Sequence, residues 1–429
     1  MKIFLKNSPT YSQIRKLLSR SYSPEKSVQT TVSEILHNVK KHGDKALIQL
    51  TKKFGGPSLT PSTLRVPPAE IATALATLNP KVRRTIQASH RNVSAFASKS
   101  LRKTWFRKNS QGAIVGERFD PFQRVGIYVP GGTAPLVSTA IMTCTLAQTA
   151  GVPEIVAVTP ADQSANISPH LLAALSLCGA TEIYRLGGAQ AIAALAFGTK
   201  TIRPVQKIFG PGNPYVVEAK RQTFGHVAVD LLPGPSEILV IADDSARPDW
   251  IAADLLAQCE HGHGSLGILL ATSPNLIHNV AQEIQRQLRL SSRKKLLTQA
   301  LKNTALIEVT DLDHAACLAN EFAAEHVSIA TKNPGELALK LTSSGAIFLG
   351  PMSPVAVGDF LAGPSHELPT GGAGKSFAGL TADQFQRRTS ILLFDKNSLK
   401  SSLPHIETFS EIEGLDAHAR SVAIRLQSL

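Results

Sequence analysis

From Val125 onward the chain alternates short apolar runs with Ala-rich helical stretches, and no other feature narrows the fold as much. Candidate strands fall at 125–129, 154–159, 182–186, 207–209 and 227–231. A second series falls at 238–242, 266–271, 306–309, 326–330 and 346–349. Strands separated by helical segments build βαβ units, so parallel sheets are expected. About five runs in each half predict an α/β protein with two Rossmann-like parallel-sheet domains of similar build, although no internal repeat is visible. Helical patterns at 11–21, 27–53 and 68–98 predict a helical N-terminal region, with a break at Gly55-Gly56-Pro57 and a helix start at Pro67-Pro68-Ala69-Glu70. The polar tail from about Thr381 reads as a small helical appendage. The expected division is a helical arm at 1–25, a larger α/β domain made of 26–123 plus 236–380, a second α/β domain at 124–235, and a helical tail at 381–429.

Length and composition agree with this. The 429 residues are 43% hydrophobic, enough for the cores of two to three domains. No run approaches the roughly 18 apolar residues of a membrane span, and the start, Met1-Lys2-Ile3-Phe4-Leu5-Lys6-Asn7, lacks the apolar centre of a signal peptide. A cytoplasmic protein without a membrane partner is expected. Cys144, Cys178, Cys259 and Cys317 form no CxxC pair, and no disulfide framework is expected. The net charge of +13 is densest at 102–108 and 293–295. The first of these interleaves Trp105 and Phe106 with basic residues, a pattern that suits nucleic acid. Neither patch sits in a nucleic-acid module, and basic runs are usually solvated faces, so no nucleic-acid partner is expected. A basic surface would also attract an anionic dinucleotide.

Chemically capable groups recur beside these runs. In Asp254-Leu255-Leu256-Ala257-Gln258-Cys259-Glu260-His261, helical spacing lets Gln258 and His261 aim at one point, which reads either as a two-pronged ligand grip or as a helix end with a capping His. Glu325-His326 sets an acid and a base at the start of an apolar run. Asp359 follows the 346–349 run through a loop at 352–358, and His366 lies in Gly363-Pro364-Ser365-His366-Glu367. Glu413 and His418 lie five apart in what reads as one polar terminal helix. For phosphates, Gly371-Gly372-Ala373-Gly374-Lys375-Ser376 fails as a P-loop, since Pro369 stands where a glycine is required. A better anion loop is Pro130-Gly131-Gly132-Thr133, directly after a strand and before a helical stretch at 134–150.

Together with Arg124-Val125-Gly126-Ile127-Tyr128-Val129-Pro130-Gly131-Gly132, Gly187-Gly188-Ala189-Gln190, Ile208-Phe209-Gly210-Pro211-Gly212-Asn213 and Gly234-Pro235-Ser236-Glu237, these segments resemble the histidinol dehydrogenase family from about residue 25 onward. The resemblance implies NAD-dependent, zinc-requiring oxidation of L-histidinol through L-histidinal to L-histidine. It implies Glu325 as activator of water, His326 as acid-base group, and Tyr128, Gln190 and Asn213 at NAD. It further implies one Zn2+ per subunit on Gln258, His261, Asp359 and His418, with Ser236, His366 and Glu413 also at the substrate. A homodimer follows, because His418 and Glu413 of the family reach across to the other subunit. Cys259, about 100° round a helix from Gln258, is expected to be structural, and His263 to be a loop residue. A zinc hydrolase is disfavoured by the absence of a His-Glu-x-x-His helix, and a basic binding protein is the remaining alternative.

Overall fold

The two series of apolar runs become two parallel sheets wound in the same order. The structure, a computed structural model, describes residues 1–7, 11–14, 18, 25–131 and 135–427. It opens with a short strand, β1 (Lys2–Phe4). Helices Lys26–His42, Asp44–Lys53, Pro68–Ala76 and Pro80–Ala97 follow, and then an antiparallel hairpin of β2 (Trp105–Lys108) and β3 (Ile114–Pro121). The first parallel sheet comprises β4 (Arg124–Tyr128), β5 (Glu154–Thr159), β6 (Glu182–Arg185), β7 (Lys207–Phe209) and β8 (Ala228–Val229). The second comprises β9 (Glu237–Ala242), β10 (Leu266–Ala271), β11 (Ala305–Glu308), β12 (His326–Ala330) and β13 (Ala346–Leu349). The chain ends with β14 (Gln386–Leu393), which pairs antiparallel with β3, and helices Lys396–Glu413 and Asp416–Gln427.

The spatial orders are β6-β5-β4-β7-β8 and β1-β11-β10-β9-β12-β13. Numbered within its own half, each reads 3-2-1-4-5, the doubly wound order in which connections leave the first strand in opposite directions. Every residue of β4, β9 and β10 is buried, as expected for parallel strands covered on both faces. Alternation still sorts side chains. Val125 and Ile127 of β4 enter one core with the helix Val137–Thr149, while Tyr128 enters the other with the helix Gly188–Phe197.

Several expectations change. The first residues are not part of a helical arm: Lys2–Phe4 pairs in parallel with β11 and extends the second sheet. Of the helix expected at 11–21, the described residues show a 3₁₀ turn at Tyr11–Gln13 and helical backbone at Ile14 and Leu18, and the rest lies outside the described residues. The helices at 26–97, grouped by the sequence with the larger domain, bury their apolar residues against the first sheet; Val32, Leu36 and Leu47 share a core with Val156 and Ile192. The tail is not wholly helical, because β14 precedes its helices and closes a three-stranded antiparallel sheet with the β2–β3 hairpin. That hairpin was missed because β2 is exposed and short and β3 interleaves charged with apolar residues, which leaves no continuous apolar run to read. The basic stretch at 102–108 is therefore largely an exposed sheet edge, where the Arg107 guanidinium lies 5.3 Å from the Trp105 ring centroid. Among the described residues, no helix is long and apolar enough to cross a membrane.

Candidate active site

The amino ends of β9 and β12 lie side by side, because His326 pairs with Ile238 in the parallel register. Glu325 and His326 on one strand thereby meet Ser236 and Glu237 on the other. Ser236 Oγ donates to Glu325 Oε2 at 2.5 Å, and the Glu237 backbone N–H donates to the same oxygen at 2.8 Å. Gln258 Nε2 in turn donates to Ser236 Oγ at 2.6 Å, so amide, hydroxyl and carboxylate form one chain of hydrogen bonds. Burial pushes the Glu325 carboxyl up to about 7, against the hydrogen bonds from Ser236 and Glu237, which favour its charged form. His326 Nδ1 faces the Glu237 carbonyl at 3.2 Å. A carbonyl can only accept, so Nδ1 carries the proton and Nε2 keeps its lone pair. Burial pushes this imidazole down to about 4, which keeps it neutral near pH 7.

Asp359 lies 3.8 Å from His261 Nε2 and 4.0 Å from His326 Nε2. Burial works to raise Asp359, but His261 and the surrounding imidazoles outweigh it, and the group sits below its ordinary value. The same carboxylate raises His261 against desolvation. The loop expected before Asp359 is a short helix, Val355–Phe360, near whose end Asp359 sits. His366 Nδ1 donates to the Asp359 carbonyl at 2.9 Å. Burial lowers its affinity for a proton, and Glu367, 3.5 Å from Nε2, reverses that and leaves it raised. Gln258 lies within the helix Pro248–Cys259, whereas His261 lies just beyond its end, where its N–H donates to the Gln258 carbonyl at 3.3 Å. Cys259 points away into the core, its thiol raised by burial and 3.7 Å from Thr304 Oγ1. His263 is exposed in the following turn.

Of the four metal-ligand candidates, Gln258, His261 and Asp359 gather at this corner. Gln258 Oε1 is buried without a hydrogen-bond partner, so the amide has a donor atom to spare. His418 does not join them. It and Glu413 lie on opposite sides of the turn between the last two helices, Glu413 ending the first and His418 in the second, with Gly414 at φ 67° between. They are not on one helix. Among the described residues no group of three His, Cys, Asp or Glu is assembled for a metal ion.

A cleft of about 220 Å³ joins this corner to the first sheet. One wall holds Ser236, His261, Glu325, His326, Asp359 and His366; the other is made by Pro130, Ser138, Thr139, Pro211 and Gly212, which follow the carboxyl ends of β4 and β7. That is the point where the winding of the first sheet reverses, the usual ligand position in such sheets. Beside it, a cavity of about 420 Å³ is lined by Tyr128, Gly131, Gly187, Gly188, Gln190 and Asn213, among others. Tyr128 Oη accepts from the Gly188 N–H at 3.0 Å, at the start of the helix Gly188–Phe197. Asn213 Oδ1 caps the helix Pro214–Thr223 through the N–H groups of Tyr215 and Val216. Gln190 is buried with Oε1 unpartnered. A Cβ at Gly131 would come within 2.3 Å of Pro160, so the backbone there closes up as no other residue would allow. Of the expected anion loop, Gly132 and Thr133 lie outside the described residues, and the following helix begins at Val137.

Sequence reading missed Glu237, whose carbonyl orients His326 and whose N–H holds Glu325, and Glu367, which faces His366. Both are charged residues that become buried, and the first opens a wholly apolar strand. That conflict between charge and strand burial was the available signal.

Comparison with known proteins follows the same outline. A family model described as histidinol dehydrogenase matches residues 18–426. The histidinol dehydrogenase of Geobacillus kaustophilus is 43% identical over 397 residues, 92% of this chain and 93% of the relative. That of Heliobacterium mobile is 41% identical over 411 residues, 96% of each. The crystal structure of histidinol dehydrogenase from Elizabethkingia anophelis superposes with a TM-score of 0.94 at 36% identity, covering 100% of this chain and 98% of that one.

Proposed function

The chain belongs to the histidinol dehydrogenase family, and from that premise we propose that it oxidises L-histidinol to L-histidine in two NAD-dependent steps at a zinc-containing site completed by a second copy of the chain. The observation that carries this reading is the pairing, at the start of β12, of Glu325, held by Ser236 and the Glu237 N–H, with His326, oriented by the Glu237 carbonyl, both opening onto the cleft beside the glycine-lined cavity.

NAD, when bound in that cavity, accepts a hydride in each oxidation. The metal, held by Gln258, His261, Asp359 and the second copy's His418, would supply a Lewis-acid anchor for the substrate's nitrogen groups; nitrogen and oxygen donors suit zinc, with manganese or cobalt compatible. The chain's own groups handle protons. His326 Nε2, its tautomer set by the Glu237 carbonyl, takes the hydroxyl proton of the alcohol in the first step. In the second step Glu325 takes a proton from the water that adds to the aldehyde carbonyl, and His326 again collects the proton released on oxidation. A carboxyl near 7 is ionised in a large fraction at neutral pH, yet basic enough to deprotonate a water as it attacks. Ser236 fixes the orientation of Glu325 and is itself held by Gln258.

The second copy is supported by the tail. Its last helix has no buried residue, while Leu392, Phe409 and Ile412 are 65%, 64% and 74% exposed, an apolar face that a partner would cover. A soluble, cytoplasmic setting fits the biosynthetic role. Recording NADH absorbance with purified protein, zinc, NAD and L-histidinol tests the reading. Two NADH per histidinol consumed are expected, and no NADH under these conditions refutes it.

A further inference from the structure

A buried ion pair behind the Asn213 turn, whose Asp230 also lines a separate cavity of about 400 Å³, has no part in the chemistry above. Lys220, on the helix Pro214–Thr223, and Asp230, just after β8, are in contact with side chains 0% and 3% exposed. Both also bind the backbone of one residue. Lys220 Nζ donates to the Gly210 carbonyl at 2.9 Å, and the Gly210 N–H donates to Asp230 Oδ2 at 2.7 Å. Gly210 therefore has both of its peptide polar groups held by opposite charges.

Gly210 opens the turn that runs between the two cavities. It follows β7 directly, has φ +108°, and a Cβ there would lie 2.1 Å from the Tyr128 carbonyl oxygen at the end of β4. Glycine alone permits that conformation and that approach. The next residues divide between the two cavities: Pro211 and Gly212 line the cleft with Glu325 and His326, and Asn213 lines the glycine-rich cavity with Tyr128 and Gln190. Lys220 reaches back from a helix capped by Asn213 to the turn that precedes it, so the pair ties both ends of this segment to one point.

Fold stability does not account for such a pair. Two buried charges cost about as much to desolvate as their attraction returns, and well-packed apolar residues of similar volume serve a core equally well. Apolar residues could not hold both the N–H and the C=O of Gly210. We infer that Lys220 and Asp230 are positioning residues for the cofactor: by fixing the Gly210 peptide groups they set the spacing between the end of β4 and the Asn213 turn to that required by the dinucleotide. This inference rests on the NAD reading given above.

The test measures NAD binding by calorimetry, without substrate, for wild type, Lys220→Met, the doubly apolar Lys220→Met/Asp230→Leu, and Asp230→Asn, with thermal unfolding and steady-state kinetics alongside. The apolar pair is expected to fold with a melting temperature near that of wild type. Its NAD affinity should weaken about 10- to 100-fold, the range for loss of charge-assisted hydrogen bonds. The KM for NAD should rise with it, while kcat at saturating NAD and the KM for histidinol stay within about threefold. Asp230→Asn keeps an acceptor for the Gly210 N–H and should lose less. Unchanged NAD affinity in the folded apolar pair overturns the inference, as does parallel loss of NAD binding, histidinol binding and stability. Failure of the apolar pair to fold, with Asp230→Asn binding NAD like wild type, assigns the pair a structural role and overturns it too. A wild-type protein that binds no NAD refutes the cofactor reading itself.

Discussion

The two parallel sheets share a winding order but put opposite edges to use. In the first sheet the cleft lies at the carboxyl ends of β4 and β7, and beside it glycines, helix starts, neutral side chains and Arg185 line the larger cavity. In the second sheet the same cleft meets the amino ends of β9 and β12, where Glu237, Glu325 and His326 are buried at the start of otherwise apolar strands. The corresponding carboxyl-end crevice of the second sheet, near Ser245, Trp250 and Thr331, is a smaller cavity of about 60 Å³. One topology thus provides an edge lined by glycines and helix starts, to which the proposed function assigns the dinucleotide, and a side-chain-lined edge, to which it assigns proton transfer. The winding alone does not decide which edge acts; the residues placed at the strand ends do.

The largest effect should come from the second sheet's edge. Glu325→Gln is expected to slow oxidation of histidinal by about 10²- to 10⁴-fold while leaving histidinol oxidation much less affected, and His326→Asn should impair both. Single-turnover measurements with each substrate separate the steps. Because burial raises Glu325 to about 7, its basic form is lost as pH falls through that value. Histidinal oxidation by wild type should therefore decline on the acid side with an apparent pKa near 7, and that limb should vanish in Glu325→Gln. Equal losses in both half-reactions would break the assignment of roles at this edge.

Removal of a metal-ligand candidate comes next. Asp359→Asn and His261→Asn are expected to fold, yet to bind zinc more than about 100-fold more weakly and to recover activity only with excess metal. Metal content after dialysis, read beside activity, checks this, and full activity of metal-depleted His261→Asn would remove His261 from the ligand set. A smaller recovery is expected from subunit exchange. His418→Asn and Glu325→Gln chains, each unable to complete the second oxidation, should when mixed and exchanged regain about a quarter of the wild-type rate of histidine formation, since about half of the dimers are mixed and each has one intact site. Exchange shown by mass without histidine formation would place His418 in its own chain's site. On the first sheet, Gln190→Leu should raise the KM for NAD about tenfold with little change in kcat, the signature of lost ground-state binding.

Much of this was legible in the sequence, and the gaps have physical causes. The parallel strands could be read because burial on both faces leaves continuous apolar runs such as Ile238 to Ala242. The β2–β3–β14 sheet could not, since its partly exposed strands mix charged and apolar residues without a continuous apolar run. Nor could the packing of helices 26–97 on the first sheet, because an amphipathic helix shows which face is buried but not what covers it. Glu325, His326, Asp359 and Gln258 were proposed from motifs, and the structure brings them to one corner. The roles of Glu237 and of the Lys220–Asp230 pair arise only when β9 meets β12 and β7 meets β8, contacts that local sequence does not encode.

The division of labour between the two edges is tested most directly by titrating NAD into the double variant Glu325→Gln/His326→Asn by calorimetry, with Gln190→Leu as the converse. NAD affinity of the double variant within about threefold of wild type, with histidinol turnover abolished, is the result expected if the first sheet holds the cofactor and the second performs proton transfer. A double variant that loses NAD affinity as steeply as it loses turnover would contradict that division.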